Sequence, residues 1–147
     1  MDPSLTRILR SWIDENYPAL LAFYEDLHQH PELSGSEVRT ADALARELKK
    51  HGFSVSTGIG GHGVVGVLEN GPGAVVLLRA EMDALPIEEK TGLPYASRRK
   101  VRTPNGVTVG VSHACGHDLH MAVLLGAGGA LARFRSAWSG TLLCVGQ

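Results

Sequence analysis

Cysteine is scarce in this chain of 147 residues, which has only Cys115 and Cys144. Two cysteines are too few for the disulfide framework that holds small secreted domains together. The first residues also lack the basic start and the apolar run of a secretory signal. We therefore expect a cytoplasmic protein without structural disulfides.

The chain also lacks an excess of either positive or negative residues, because its formal net charge is −1. A nearly neutral chain has no overall field to attract nucleic acid or an anionic membrane, so neither is expected as a partner. The longest almost uncharged apolar run, residues 121–132, is too short to cross a bilayer. With 44% hydrophobic and 20% charged residues, the composition is typical of a globular domain with a sizeable core.

Apolar residues recur at helical spacing from residue 4 to residue 27 and predict a first helix. Pro18 should kink or split it, because proline lacks an amide donor and clashes with the preceding turn. His28 and His30 lie on the last turn of this helix. The expected role of both rings is a favourable interaction with the negative end of the helix dipole.

Two further helices are expected along the chain. The second follows Ser34 and Glu37, whose spacing fits a capping box with Ser34 as the N-cap. The third covers residues 119–134, and its glycines should allow it to approach a sheet closely, at some cost in helix propensity. The first and second helices are predicted to be scaffold.

Four short apolar or alternating runs predict strands at residues 53–57, 64–68, 74–80 and 141–145. An Asn-Gly pair between the second and third runs predicts that these two strands form a hairpin. The third run is apolar on both faces and should lie in the middle of a sheet covered by helices. The expected fold class is α/β, with a mixed β-sheet flanked by helices.

Charged side chains appear abruptly where the third predicted strand ends, at Arg79, Glu81 and Asp83. Open α/β sheets build their sites at the carboxyl ends of strands. The simpler interpretation is an ordinary strand exit with a surface ion pair. Residues 87–112 then form a long connection, of the kind that is often functional or mobile in a compact domain.

Three imidazoles, one thiol and one carboxylate lie within residues 113–120, where a loop enters the third helix. Thiolate and imidazole suit zinc and related ions, and a carboxylate can bind the ion or orient a ligand. Cys115 and His117 bracket a glycine and could bind one ion or two neighbouring ions, whereas His113 and His120 are weaker candidates. A Cys-x-His pair alone has low specificity, but the carboxylates at the strand exit support a metal site.

Several stretches together resemble the N-acyl-amino-acid amidohydrolases, a family of two-metal metallopeptidases that includes hippurate hydrolases and auxin-conjugate hydrolases. They occur in the family's order at residues 28–34, 79–86, 93–97, 113–120 and 124–127. The resemblance implies that residues 1–147 are the amino-terminal portion of a two-metal, exopeptidase-like catalytic domain. The remainder of that domain and a smaller inserted domain would be absent.

The resemblance also implies the site. Cys115 and His117 match the family's metal ligands, for a complete centre of two divalent ions of zinc, manganese or cobalt. The family strand that matches residues 141–145 leads into Gln-Pro-Ala-Glu-Glu, which supplies the general base and a further ligand. Only Gln147 of that motif is present, so no catalytic base is assigned to this chain. Glu81 stands where the family usually has an aspartate that supports the metal centre from behind.

By resemblance, the activity is metal-dependent hydrolysis of the amide bond of a small-molecule N-acyl amino acid or a similar amide. The complete protein could be a homodimer, and this chain alone is expected to be inactive. One alternative is a non-catalytic metal-binding or regulatory module. A thiol-dependent or redox enzyme using Cys115 is another, although no Cys-x-x-Cys motif supports it.

Overall fold

Two helices, five strands, a third α-helix and a last strand follow one another along the chain in a computed structural model that describes residues 3–147. A four-stranded mixed sheet forms the centre, and a separate two-stranded hairpin lies in the long connection before the third helix. The expected α/β fold, a mixed sheet flanked by helices, is therefore confirmed. The elements are α1 (Pro3–Gln29), α2 (Val38–Lys50), β1 (Ser54–Ile59), β2 (Gly63–Asn70), β3 (Val75–Ala80), β4 (Lys100–Arg102), β5 (Thr108–Gly110), α3 (His117–Arg133) and β6 (Gly140–Gly146).

Strand β6 is the centre of the main sheet, whose order is β1-β2-β6-β3. It pairs antiparallel with β2 and parallel with β3. The predicted hairpin between β2 and β3 was therefore wrong. The Asn-Gly turn is a local signal, and the non-local β6 lies between the two strands that this turn connects. The antiparallel hairpin of this sheet joins β1 and β2 instead.

Strand β3 occupies the edge of the four-stranded sheet, and the expectation that it lies in the middle was wrong. Val75, Val76 and Leu77 keep more than half of their surface exposed. β6 is the covered central strand, because Leu142 and Cys144 are buried beneath the helices. The apolar residues on both faces of β3 thus predicted that it is a strand, but they did not predict its position in the strand order of the sheet.

Helix α1 runs without interruption through Pro18, so the predicted split does not occur. Residues beyond the proline are held by packing, because Phe23 belongs to the core and Leu20 packs against it. Gly126 of α3 lies under Leu20, where an added Cβ would be 3.2 Å from the Leu20 side chain. In residues 3–147, no helix is long and apolar enough to span a membrane.

The start of α2 is stabilised by Glu32 and not by the predicted capping box. The buried carboxylate of Glu32 accepts hydrogen bonds from the amides of Arg39 (3.2 Å) and Thr40 (2.8 Å) and from the Thr40 hydroxyl (2.9 Å). Glu37 is the N-cap residue but makes no side-chain cap bond, and its Oε1 accepts from the Gly35 amide. A carboxylate brought in from before the turn satisfies the free amides of the first helical turn.

The core lies between the sheet and α2 and α3, with α1 packed on the outer side of α3. Close approach of α3 depends on Gly128, where an added Cβ would lie 3.1 Å from the Cys144 sulfur. The expected close approach to the sheet is therefore confirmed for Gly128, whereas Gly126 faces α1. This packing brings the amino end of α3 to the end of β3.

We predict that Glu32→Gln lowers the free energy of unfolding by about 1–3 kcal/mol, because hydrogen bonds to a charged acceptor are lost in a buried position. Urea denaturation followed by circular dichroism measures the change. Glu88→Gln, at an exposed position, is the matched control and should change stability by less than about 0.5 kcal/mol. Equal effects of the two substitutions would contradict the capping role of Glu32.

Candidate metal centre

The charged exit of β3 and the first turn of α3 meet at one end of the sheet. The Met82 amide donates to the Gln147 carbonyl (2.8 Å), and the Gln147 amide donates to the Ala80 carbonyl (3.0 Å). These bonds extend the pairing of β3 and β6 past the strands themselves. α3 begins directly after Gly116, which has a positive φ of 75° that strains other residues. The turn points the side chain of His117 towards the residues that follow β3.

His117 is fixed in one orientation by Asp83. Its Nδ1 lies 2.9 Å from both the backbone carbonyl and the Oδ1 of Asp83. Both partners are acceptors, so Nδ1 carries the proton and Nε2 keeps a free lone pair. A carboxylate behind an imidazole is the arrangement that fixes the tautomer of metal-binding histidines and raises the basicity of the other nitrogen.

Glu81 lies on the opposite side of the His117 ring from Asp83. Its Oε2 is 3.9 Å from Nε2 of His117. Its Oε1 accepts a hydrogen bond from Arg79 (2.9 Å), and this bond from Arg79 lowers the pKa of Glu81. The Nε of Arg79 also donates to the Gln147 side chain. Asp83, and not Glu81, contacts Nδ1 of His117, and the supporting role expected of residue 81 stays a prediction.

His120 joins Glu81 and His117, whereas Cys115 does not. His120 lies one turn further along α3, and its ring centroid is 5.9 Å from that of His117. One ligand atom from each of Glu81, His117 and His120 lies within 4.8 Å of the other two. Cys115 is exposed, and within residues 3–147 its sulfur is not part of this group. The weaker candidate His120 is thus closer to the centre than the sequence indicated.

The chemistry of this donor set fits a divalent ion. Two imidazoles and one carboxylate suit zinc, and imidazole and carboxylate are also ligands of manganese and cobalt. Three protein ligands leave a coordination position open for water or substrate, which is typical of catalytic sites. His120 is exposed and Glu81 is partly exposed, so this position can be reached from solvent.

A buried ion-pair network lies beside the centre and includes His28. The Nδ1 of His28 is 2.6 Å from Oδ2 of Asp118, and its Nε2 is 3.1 Å from Oε1 of Glu89. The expected role of His28 at the end of α1 was therefore wrong. His30 does contact that helix end, with Nδ1 2.7 Å from the Asp26 carbonyl.

The network favours a charged His28 ring. Burial disfavours the charge, but the hydrogen bonds to Asp118 and Glu89 outweigh it and raise the pKa of His28. Asp118 also accepts the Leu119 amide through Oδ1, so its carboxylate connects α1 to the first turn of α3. Asp118 is thereby a positioning residue and not a member of the group of ligand atoms.

His113 is buried beside this network without a hydrogen-bond partner on either ring nitrogen. Burial lowers the pKa of His113 and keeps the ring neutral near neutral pH. It is absent from the group of three ligand atoms described above. His113 thus lies outside the group that its sequence neighbour His117 joins.

Sequence reasoning missed the partners that orient the centre. Asp83 had a signal, since it follows a buried strand together with Glu81, but which carboxylate stands behind the histidine depends on the path of the backbone. Glu89 had no signal, because it lies in a long connection and approaches His28 across 61 residues of sequence.

The two thiols should differ sharply in reactivity. Cys115 is exposed, whereas Cys144 is fully buried and burial raises its pKa to about 12. Because the thiolate is the reactive form, we predict one fast thiol in the native metal-free chain and two in guanidinium chloride. Titration with a disulfide reagent measures both. Cys115→Ser should remove the fast phase and Cys144→Ala should retain it, and two fast thiols in the native chain would contradict the burial of Cys144.

Comparisons of sequence and of structure relate this chain to the same group of peptidases and hydrolases. The sequence profile described as Peptidase family M20/M25/M40 matches residues 77–147. Thermostable carboxypeptidase 1 of Saccharolobus solfataricus is 37% identical over 145 residues, which are 97% of this chain and 35% of that protein. The hippurate hydrolase of Campylobacter jejuni is 45% identical over 100 residues, which are 67% of this chain and 24% of that protein.

A solved structure of similar fold comes from Bacillus subtilis and is described as a dinuclear metal-binding peptidase of family M20. It has a TM-score of 0.79 and 34% sequence identity, and the match covers 91% of this chain and 35% of that one. The chain therefore spans about a third or less of the length of these relatives. On these similarities of sequence and structure, the chain belongs to the peptidase family M20/M25/M40.

Proposed function

We propose that this chain is the metal-binding portion of a metal-dependent amidohydrolase that releases amino acids from N-acyl amino acids. The observation that carries the proposal is His117, held by Asp83 with its free Nε2 beside Glu81 at the end of β3. Cys115 and His117 are the proposed metal ligands of a centre for two divalent ions. Zinc, manganese and cobalt all suit this set of donors.

The names of two relatives support this substrate class. A carboxypeptidase and a hippurate hydrolase both cleave an amide whose nitrogen belongs to an amino acid with a free carboxylate. The description of the Bacillus subtilis structure as dinuclear supports two ions in a complete centre. The shared reaction is amide hydrolysis, and the acyl group is left open.

Each residue of the centre has a role that follows from its contacts. His117 binds through Nε2, while Asp83 holds the Nδ1 proton and prevents the ring from rotating. Arg79 orients Glu81 through Oε1 and leaves Oε2 facing His117. When bound, divalent ions supply Lewis-acid activation of water and of the acyl carbonyl.

The general base and further ligands are proposed to come from the part of the relatives that this chain does not match. Glu81 and Asp83, the carboxylates at the centre, are already engaged with Arg79 and His117. The exposed apolar residues of β3 support this arrangement, since an exposed hydrophobic edge strand is normally covered. The 147-residue chain would then bind metal without turning over substrate.

We predict that Asp83→Asn weakens zinc binding about 10- to 100-fold, as loss of a partner that orients a metal ligand generally does. The amide can present its NH2 group to Nδ1, which favours the wrong tautomer and removes the negative charge. Isothermal titration calorimetry of the purified chain measures the affinity. Asp42→Asn, at an exposed position on α2, is the control. Unchanged affinity in Asp83→Asn would contradict the role of Asp83.

We also predict that the metal-loaded 147-residue chain releases no glycine from hippurate above the rate of a His117→Ala control. The measurement is amino-acid release with zinc, manganese or cobalt added in turn. Turnover that His117→Ala abolishes would place the general base within these residues and contradict its proposed location. Failure of the wild-type chain to bind any of the three ions would contradict the metal centre itself.

A further inference from the structure

We propose that the groove between α1 and α3 binds a second copy of this chain, in a symmetric dimer whose two α1 helices run in opposite directions. The inference goes beyond the proposed function and does not depend on it, because none of the residues described at the metal centre lines this groove in residues 3–147. It is supported by an apolar surface and by charges beside that surface that are complementary to themselves.

The groove between α1 and α3 is open and apolar, with a volume of about 630 Å³. On the α3 side it is lined by small residues that include Ala122, Gly126 and Ala127, and in the described part of the chain no charged side chain lines it. Tyr17 and Val123 also line it and keep 57% and 62% of their surface exposed. Large contiguous apolar surfaces of this kind mark sites of interaction with other molecules.

The shape of the α1 side favours a helix as the occupant. Leu9, Ile13, Tyr17 and Leu21 all line the groove and recur every four residues. Such a row follows one face of a helix and forms the ridge with which two helices pack against each other. The row covers more than three turns of α1, so a second α1 has the length and the ridge to match it.

The charges beside this row favour a second copy of α1 in particular. Arg10 and Asp14 each precede a groove residue, Tyr17 and Leu21, by seven positions, so both lie on the side of α1 that faces the groove. Both are exposed, and within residues 3–147 neither has an ion-pair partner. A two-fold axis at the level of Trp12 would place Arg10 of each copy opposite the partner's Asp14.

The same charges determine the direction of the second helix. Arg7 and Arg10 precede Trp12 in the chain, whereas Asp14 and Glu15 follow it. Two such helices attract each other when antiparallel, because the basic segment of each then lies beside the acidic segment of the other. Exposed ion pairs add little affinity, so the apolar row supplies the attraction and the charges fix the arrangement.

Sedimentation velocity of the purified 147-residue chain over a range of concentrations tests the dimer. We expect a species of twice the mass of the chain, in equal amounts with and without a chelator. Tyr17→Glu and Val123→Glu should each raise the dissociation constant about 10-fold or more, because an unpaired charge enters an apolar contact. Val75→Lys, at an exposed apolar position of β3, is the matched control and should leave the dissociation constant unchanged. Circular dichroism confirms that every variant is folded.

A charge exchange tests the direction of the helices. Arg10→Glu and Asp14→Arg each place like charges opposite one another and should weaken the dimer about 10-fold at low salt. The double variant Arg10→Glu/Asp14→Arg makes the charges opposite again and should restore the dissociation constant of the wild type. High salt should reduce these differences, because it screens exposed charges.

Three results would overturn the proposal. A chain that stays monomeric at every concentration would leave the groove to a partner of different sequence. A dimer that Tyr17→Glu and Val123→Glu retain, but that Val75→Lys loses, would place the contact on β3. A double charge variant as weak as the single ones would exclude the antiparallel arrangement. Metal binding tests the proposed function separately, so the failure of either proposal can be recognised without the other.

Discussion

The arrangement of the whole chain depends on the double pairing of β6. This strand satisfies its backbone hydrogen bonds with β2 on one side, antiparallel, and with β3 on the other, parallel. A parallel pair requires a crossover connection, and here the crossover includes α3. Since β3 and β6 point the same way, the chain leaves β3 at the carboxyl end of both strands, which is the end of the sheet where α3 begins. The charged residues after β3 and the histidines of α3 meet for this reason.

Within this geometry, the chemistry of the centre is set by its hydrogen-bond partners. Asp83 determines which nitrogen of His117 is free, and Arg79 determines which oxygen of Glu81 is free. Asp118 acts on the centre indirectly, because its carboxylate contacts both the His28 ring and the Leu119 amide at the start of α3. A side chain that could rotate would present its ligand atom only part of the time, so these contacts would hold the ligand atoms in place for an ion.

Much of the fold was predictable because its signals are local. Helical periodicity located all three helices, and the apolar run at residues 141–145 located the central strand. Three predictions failed: the hairpin of β2 and β3, the central place of β3 and the capping box at Ser34. The first two failed because β6, far away in sequence, pairs with both β2 and β3. The third failed because the nearby Glu32 accepts the amides at the start of α2.

The sequence by itself determined the inventory of the centre and its family, because residue types and their order can be read without coordinates. It indicated the histidines and the thiol of residues 113–120 and the carboxylates after β3 as one chemical group. Only the tertiary structure decided their positions, with Asp83 behind His117, Glu81 in front of it and Cys115 outside the group of Glu81, His117 and His120. The physical reason is that a ligand is defined by the direction of its lone pair, and that direction is fixed by contacts between residues from separate elements.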